Sequence, residues 1–151
     1  MLHRAAGGHG SARLVQFLLE HGANPEVRDG NRHTIPLTWA YRFGRAETVS
    51  ILMASAPIHA AVNCDGVDRV RALLAQDPSL SNARDIDGRT PLHCLHKGLR
   101  HGVELIRLLV ASGADVNARD AGGVSVVGHA RRCVADDLLD SLRSLGAVAT
   151  E

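Results

Sequence analysis

The tetrapeptide Asn-Ala-Arg-Asp occurs twice in this chain, at residues 82–85 and again at residues 117–120. The two copies stand 35 residues apart, and a Thr-Pro-Leu-His segment at 90–93 lies between them. Apolar residues that can open helices recur with similar steps: Leu2, Leu37, Ile58, Leu92 and Val127. Their separations of 35, 21, 34 and 35 residues indicate that one structural unit is repeated along the chain.

Each repeat carries the same two helical patterns. The opening segments are MLHRAA, PLTWA, PIHAA, PLHCL and VVGHA, and the later, more apolar ones are FLLEHGA, ILMASA, ALLAQDP, LLVASGA and SLRSLGA. The chain resembles ankyrin-repeat proteins over nearly all of its length, most clearly in residues 87–120, where DGRTPLH precedes LIRLLVASGADVNARD. The resemblance implies an all-α fold, an ankyrin-repeat solenoid of helix-turn-helix units with short β-hairpin fingers.

Local signals place the helix ends. The hydroxyl of Thr90 can cap a helix, and Pro91 suits a first helical position because its missing N–H costs nothing there. Gly22, Gly113 and Gly146 follow last helical turns, where glycine ends a helix most cheaply. We therefore expect residues 1–151 to form a single ankyrin-repeat domain. Its five approximate units are 1–28, 29–56, 57–84, 85–119 and 120–151.

Three units depart from the regular pattern. The first begins at its helix, without a preceding hairpin, and the 21-residue step from Leu37 to Ile58 leaves no room for a hairpin between units two and three. The fourth unit has extra residues in HKGLRHG, which predict a longer loop between its helices. There Leu95-His96 replaces the alanine pair of other inner helices, so the sequence does not predict close packing of that helix.

Composition excludes several classes of function. The 17 basic and 16 acidic residues nearly cancel, so nothing indicates a nucleic-acid partner. No segment has the continuous apolar run of a signal peptide or a membrane span, so no membrane association is expected. Three widely spaced cysteines do not suggest a disulfide framework, and reduced thiols in the cytoplasm are the default.

The sequence offers few motifs for catalysis or metal binding. His93 with His96, and His129 with Cys133, could each share a helix face, but no CxxC or HExxH accompanies them. Neither a glycine-rich phosphate loop nor GxSxG occurs. We expect no metal, no cofactor and no catalytic residues, and hence a protein that is not an enzyme.

The resemblance implies a protein-binding module, because partners of ankyrin repeats usually contact the hairpin tips and the concave face of the inner helices. Carried over to this chain, the tips are Arg28, Asn31, Arg32, His33, Ile86, Asp87, Arg89, Ala121 and Gly122. The inner-helix positions are Trp39, Arg42, Phe43, Asn63, Cys64, Lys97, Arg132 and Cys133. For Trp39 the alternative is that it only fills space beside the missing hairpin.

The distribution of charge between the inner and outer helices indicates which kind of protein partner is favoured. The predicted inner helices carry five basic residues and one acidic residue, whereas the outer helices carry five basic and seven acidic ones. A basic groove favours a protein partner with an acidic patch. The chain is expected to be a monomer, and its uncapped N-terminal end is a candidate contact with another chain. Two alternatives stay open: a regulatory subunit or fragment that controls a separate enzyme, and a His/Cys metal-binding protein.

Overall fold

The computed structural model describes residues 1–8, 11–30, 34–133 and 136–148, except for the side chain of Cys133. Eight α-helices are present in these ranges: α1 Ala12–Glu20, α2 Pro36–Arg42, α3 Ala46–Met53, α4 Ile58–Asn63, α5 Val67–Gln76, α6 Gly102–Ala111, α7 Val126–Cys133 and α8 Asp136–Ser144. A π-helical turn covers Arg4–Gly8, and 3₁₀ turns cover Pro78–Asn82 and Pro91–Cys94. The fold is therefore all-helical, as predicted. The chain divides into two compact units, Met1–Ala60 and Ala61–Glu151.

In the first compact unit, α2 packs on the π-helical turn and on α3, and α1 packs on the same two elements. Ser11 begins α1 as its cap, because its hydroxyl accepts a hydrogen bond from the Leu14 N–H at 3.2 Å. Pro36 stands at the start of α2. The core combines large and small side chains: Leu2, Ala5, Ala6, Val15, Leu37, Ala40 and Leu52. The alanines let neighbouring backbones approach closely.

In the second compact unit, α6 packs between α5 and α8, and α7 packs on α8. Both α6 and α7 also contact the 3₁₀ turn Pro91–Cys94. The apolar face of α6 is completely buried because its leucines and isoleucine recur with helical spacing, at Leu105, Ile106 and Leu109. The core of this unit is thus made of aliphatic side chains.

The predicted β-hairpin fingers are not confirmed. The described ranges contain no β-strand and one isolated antiparallel bridge, between Arg119 and Ser125. Three loops occur instead, and each closes with an aspartate N–H that donates to a carbonyl four or five residues ahead. The donors are Asp29, Asp85 and Asp120, and the distances are 2.9, 3.0 and 3.0 Å. One bond of this kind per loop closes a turn but does not make a ladder of paired strands.

The inner helix of the predicted fourth unit is shorter than expected. It is a four-residue 3₁₀ turn, and Leu95 after it has an extended backbone with φ −67° and ψ 139°. The Leu95 side chain is fully buried, which fixes this conformation where other inner helices carry alanine. Lys97, expected on an inner helix, therefore lies in the irregular loop 95–101 that precedes α6. That loop is the longer connection which the extra residues predict.

Candidate partner-binding surface

The asparagine of the repeated tetrapeptide makes the same pair of bonds in both copies. The side chain of Asn82 donates from Nδ2 to the Gly113 carbonyl at 2.7 Å and accepts from the Asp115 N–H at 2.8 Å. Asn117 makes the equivalent pair of bonds to the backbone that follows α8, at 3.3 and 2.8 Å. Each asparagine thus joins the loop of its own repeat to the end of the next outer helix.

The arginine of the tetrapeptide fixes the loop that follows it. Arg84 donates from Nη1 to the carbonyls of Gly88 and Arg119, both at 2.7 Å. Arg119, the second copy, donates from Nη1 to the Gly123 carbonyl at 2.6 Å. Charged donors make shorter and stronger hydrogen bonds than neutral ones, so these arginines hold the loop backbone firmly. Arg84 also connects one loop to the next.

The aspartate of each tetrapeptide accepts hydrogen bonds from backbone N–H groups of its own loop. Oδ1 of Asp85 accepts from the N–H groups of Asp87 and Arg89, both at 2.9 Å. Asp120 accepts from Gly122 and Val124 at the same distance. The backbone hydrogen bond from Val124 holds the pKa of the Asp120 carboxyl below its usual value, because that bond favours the charged form.

The two loops touch each other. The Ala121 N–H donates to the Asp87 carbonyl at 2.9 Å. Gly88 has φ +71°, and a Cβ atom there would stand 2.8 Å from the Ala121 nitrogen, so only glycine fits. The side chains left at the tips are exposed: Ile86, at 78%, and also Asp87 and Ala121. Gly122 is exposed at the same tip.

His93 lies beneath these loops and is fully buried. Its Nδ1 accepts from the Thr90 N–H at 3.1 Å, so Nε2 carries the proton and donates to the Val124 carbonyl at 3.2 Å. Burial lowers the pKa of His93, and it also lowers that of His129, whose ring centre lies 6.1 Å away. Both imidazoles are therefore neutral at pH 7. The histidine after the leading apolar residue has a structural role here.

In the first compact unit, Trp39 contacts the two residues that close a loop, Asp29 and Thr34. Its indole N–H lies 2.9 Å from Oδ2 of Asp29 and 2.9 Å from Oγ1 of Thr34. The ring also packs over Gly7, where an added Cβ would meet Trp39 at 2.7 Å and Phe43 at 3.1 Å. These contacts give Trp39 a packing role, although beside Asp29 and Gly7 and not beside the missing hairpin. Phe43 remains more than half exposed.

The other predicted contact residues have different surroundings. Arg28, Arg42, Lys97 and Arg132 are exposed, while Asn63 and Arg89 are half-buried. Cys64 is 3% exposed, so it is not accessible to a partner, which corrects its assignment to the surface. The reason is that it follows directly after α4 and turns into the core. Asn31, Arg32, His33 and the side chain of Cys133 lie outside the described residues.

Sequence reasoning missed the role of Asp65. This residue has φ +60° and a side chain that is 9% exposed. Its carboxylate accepts from the backbone N–H groups of Arg100 and His101, at 3.2 and 3.0 Å, and contacts Nδ1 of His101 at 3.0 Å. At the other end of the loop, Nε2 of His96 lies 3.0 Å from the Asn63 carbonyl. The loop 95–101 is thus anchored at both ends.

The described cysteines and histidines do not form a reactive centre. Cys64 and Cys94 are not joined in a disulfide, and burial raises the pKa of the Cys94 thiol to about 12. Within the described ranges there is no group of three His, Cys, Asp or Glu residues placed to hold a metal ion. Nor does any helix of those ranges have the length and apolar character needed to cross a membrane.

Comparison with known proteins identifies the family. The model of the family described as ankyrin repeats, in three copies, matches residues 2–120. The chain belongs to the ankyrin-repeat family. An 80-residue segment of this ankyrin-repeat chain, 53% of its length, is 36% identical to part of the serine/threonine-protein kinase VIK of Arabidopsis thaliana. The matched segment covers 18% of that kinase. Ankyrin repeats are in general non-catalytic modules for protein interaction.

Proposed function

We propose that this ankyrin-repeat chain is a non-catalytic module that binds another protein through its loop tips and inner-helix ends. In the second compact unit this contact surface comprises Asn63, Ile86, Asp87, Arg89, Lys97, Ala121, Gly122 and Arg132. The first unit would add Arg28, Arg42 and Phe43. We place the interaction in the cytoplasm, where cysteines such as Cys94 stay reduced.

Ile86 carries this proposal. It is a large apolar side chain, 78% exposed, on a loop whose backbone is fixed by Arg84 from one side and Asp85 from the other. An exposed apolar side chain on a mobile loop would lose conformational freedom on binding, and that loss would weaken the complex. Here the loop is already ordered, so most of the free energy gained by burying Ile86 remains available for affinity.

The exposed basic side chains of Lys97 and Arg132 support a protein partner with an acidic patch. Lys97 and Arg132 are both exposed and stand 35 residues apart, at equivalent positions of two successive repeats. Arg100 and Arg131 are exposed nearby in the sequence. Such charges mainly speed association and make it sensitive to salt.

The experiment is affinity capture of partner proteins by the immobilised chain, with mass spectrometry to identify them and biosensor titration to compare variants. Ile86→Ser should weaken binding of the captured protein about tenfold or more. Val148→Ser is the matched control, since Val148 is 55% exposed but lies after α8. Lys97→Glu with Arg132→Glu should slow association and reduce its dependence on salt. Equal affinities of the Ile86→Ser variant and the unaltered chain would contradict the proposed surface.

A second candidate function is regulation of an enzyme. The observation that favours it is the partial match to a protein named as a serine/threonine kinase. In this case the captured partner would be one enzyme in stoichiometric amount, and its rate would change when the ankyrin-repeat chain is added. Capture of several unrelated proteins without an effect on any enzyme would favour a scaffold instead.

A further inference from the structure

Helix α1 leaves an apolar face uncovered. Its inner side is buried through Ala12 and Val15, but Leu14 is 47% and Phe17 is 53% exposed on the outer side. The Phe17 ring stacks on the imidazole of His21, with ring centres 4.0 Å apart and an interplanar angle of 29°. This outer face is thus an ordered strip of side chains on one helix.

The same positions of another repeat are covered. Leu14 stands eight residues before Gly22, as Leu105 of α6 stands eight residues before Gly113. Leu105 is completely buried, and α6 packs against α5 as well as against α8. Leu108, which corresponds to Phe17, is at least partly buried. The outer face of α1 therefore has the side chains that a repeat uses to pack against a neighbouring helix.

Charges beside this strip identify which helix can cover it. Arg13 and Glu20 stand seven residues apart, so they lie on the same side of α1, next to Phe17. Both are exposed, and Gln16 donates to the Glu20 carboxylate at 3.1 Å. When two such helices pack antiparallel about a two-fold axis near Phe17, each Arg13 meets the Glu20 of the other helix. The charge pattern is therefore complementary to itself.

We propose that the chain forms a homodimer in which α1 of one copy packs antiparallel on α1 of a second copy. The interface is isologous, with Leu14 and Phe17 at its centre and two symmetric Arg13–Glu20 ion pairs at its edge. A nine-residue helix is only about 13 Å long, so the buried area is below that of permanent dimers. The dimer is consequently a weak one, with a dissociation constant of roughly micromolar or higher. No residue of this interface belongs to the surface proposed for the protein partner.

Sedimentation equilibrium over a range of concentrations tests the dimer. The unaltered chain should show a monomer–dimer equilibrium, and Phe17→Ser should remain monomeric throughout. Val148→Ser, which removes an exposed apolar side chain elsewhere, should dimerise like the unaltered chain. A chain that stays monomeric at several hundred micromolar overturns the proposal.

A charge exchange separates this pairing from unspecific apolar association. Arg13→Glu alone, or Glu20→Arg alone, places like charges opposite each other twice and should weaken the dimer severalfold. The double variant restores opposite charges and should dimerise within about threefold of the unaltered chain. A dimer that is indifferent to all three variants overturns the antiparallel arrangement. If the unaltered chain stays monomeric and Phe17→Ser instead loses the captured partner protein, the face belongs to that partner.

Discussion

At the scale of single residues, a buried histidine makes stability depend on pH. His93 must keep Nδ1 unprotonated to accept from Thr90, and burial lowers its pKa, as it does for His129. The unfolded chain takes up these protons near pH 6.5, before the folded chain does. The stability that the two neutral imidazoles contribute should therefore be fully present above pH 6.5. The free energy of unfolding should fall as the pH drops from there through the folded-state pKa values.

Urea unfolding at pH 7.5, 6.5 and 5.5 measures this dependence. The double variant His93→Gln with His129→Gln should be less stable at pH 7.5, but its free energy of unfolding should change less between pH 6.5 and 5.5. An unchanged slope in the double variant would show that other groups are responsible. The lowered pKa of Asp120 acts in a separate range, since its contribution is lost only as the pH falls below about 3.8.

Two adjacent glycines offer a matched test of the packing under Trp39. A Cβ at Gly7 would stand 2.7 Å from Trp39, whereas a Cβ at Gly8 meets no atom within 4 Å. Gly7→Ala should lower the free energy of unfolding by about 1–3 kcal/mol, because the indole is held by Asp29 and cannot move aside freely. Gly8→Ala should be neutral or slightly stabilising. Chemical unfolding of both variants measures this difference. Equal changes in their free energy of unfolding would show that the indole ring has room to shift.

At the scale of structural elements, the repeated asparagine connects each loop to the next outer helix. Asn82→Ala removes two bonds of 2.7 and 2.8 Å and should cost about 1–2 kcal/mol in free energy of unfolding. Asn117→Ala should cost less, because one of its bonds is longer, at 3.3 Å. The measurement is urea unfolding of both variants. A larger loss for Asn117→Ala would contradict this ranking.

Helix positions could be predicted from the sequence because they depend on local signals. Gly22, Gly113 and Gly146 follow the ends of α1, α6 and α8 with positive φ, as predicted, and the apolar spacing of α6 gives its buried face. The inner helix of the fourth unit could not be predicted in its observed form. Its end depends on how Leu95 fits into the core, and the spacing of residues does not contain that information.

At the scale of the whole molecule, repetition predicts the fold but only part of the candidate surface. The duplicated tetrapeptide marks the loops, yet the bonds of Arg84 to Arg119 and of Asn82 to Asp115 reach backbone groups about a repeat away, and their geometry has no local signal. Asp65 was missed for the same reason, since it holds a loop 35 residues ahead. Cys64 was placed on the surface because spacing gives the helix position but not the direction of the chain after the helix ends.

The bonds of the tetrapeptide fix the loop tips in the chain by itself. Amide hydrogen exchange tests this at Arg89 and Val124, whose N–H groups are bonded within the loops, and at Ala121, whose N–H joins one loop to the other. At these amides we expect exchange at least about a hundredfold slower than in an unfolded peptide. We also expect Arg84→Ala to accelerate exchange at Arg89 and Ala121 and to leave the exchange of the α6 amides unchanged. Exchange at the rate of an unfolded peptide at these three amides in the unaltered chain would contradict it.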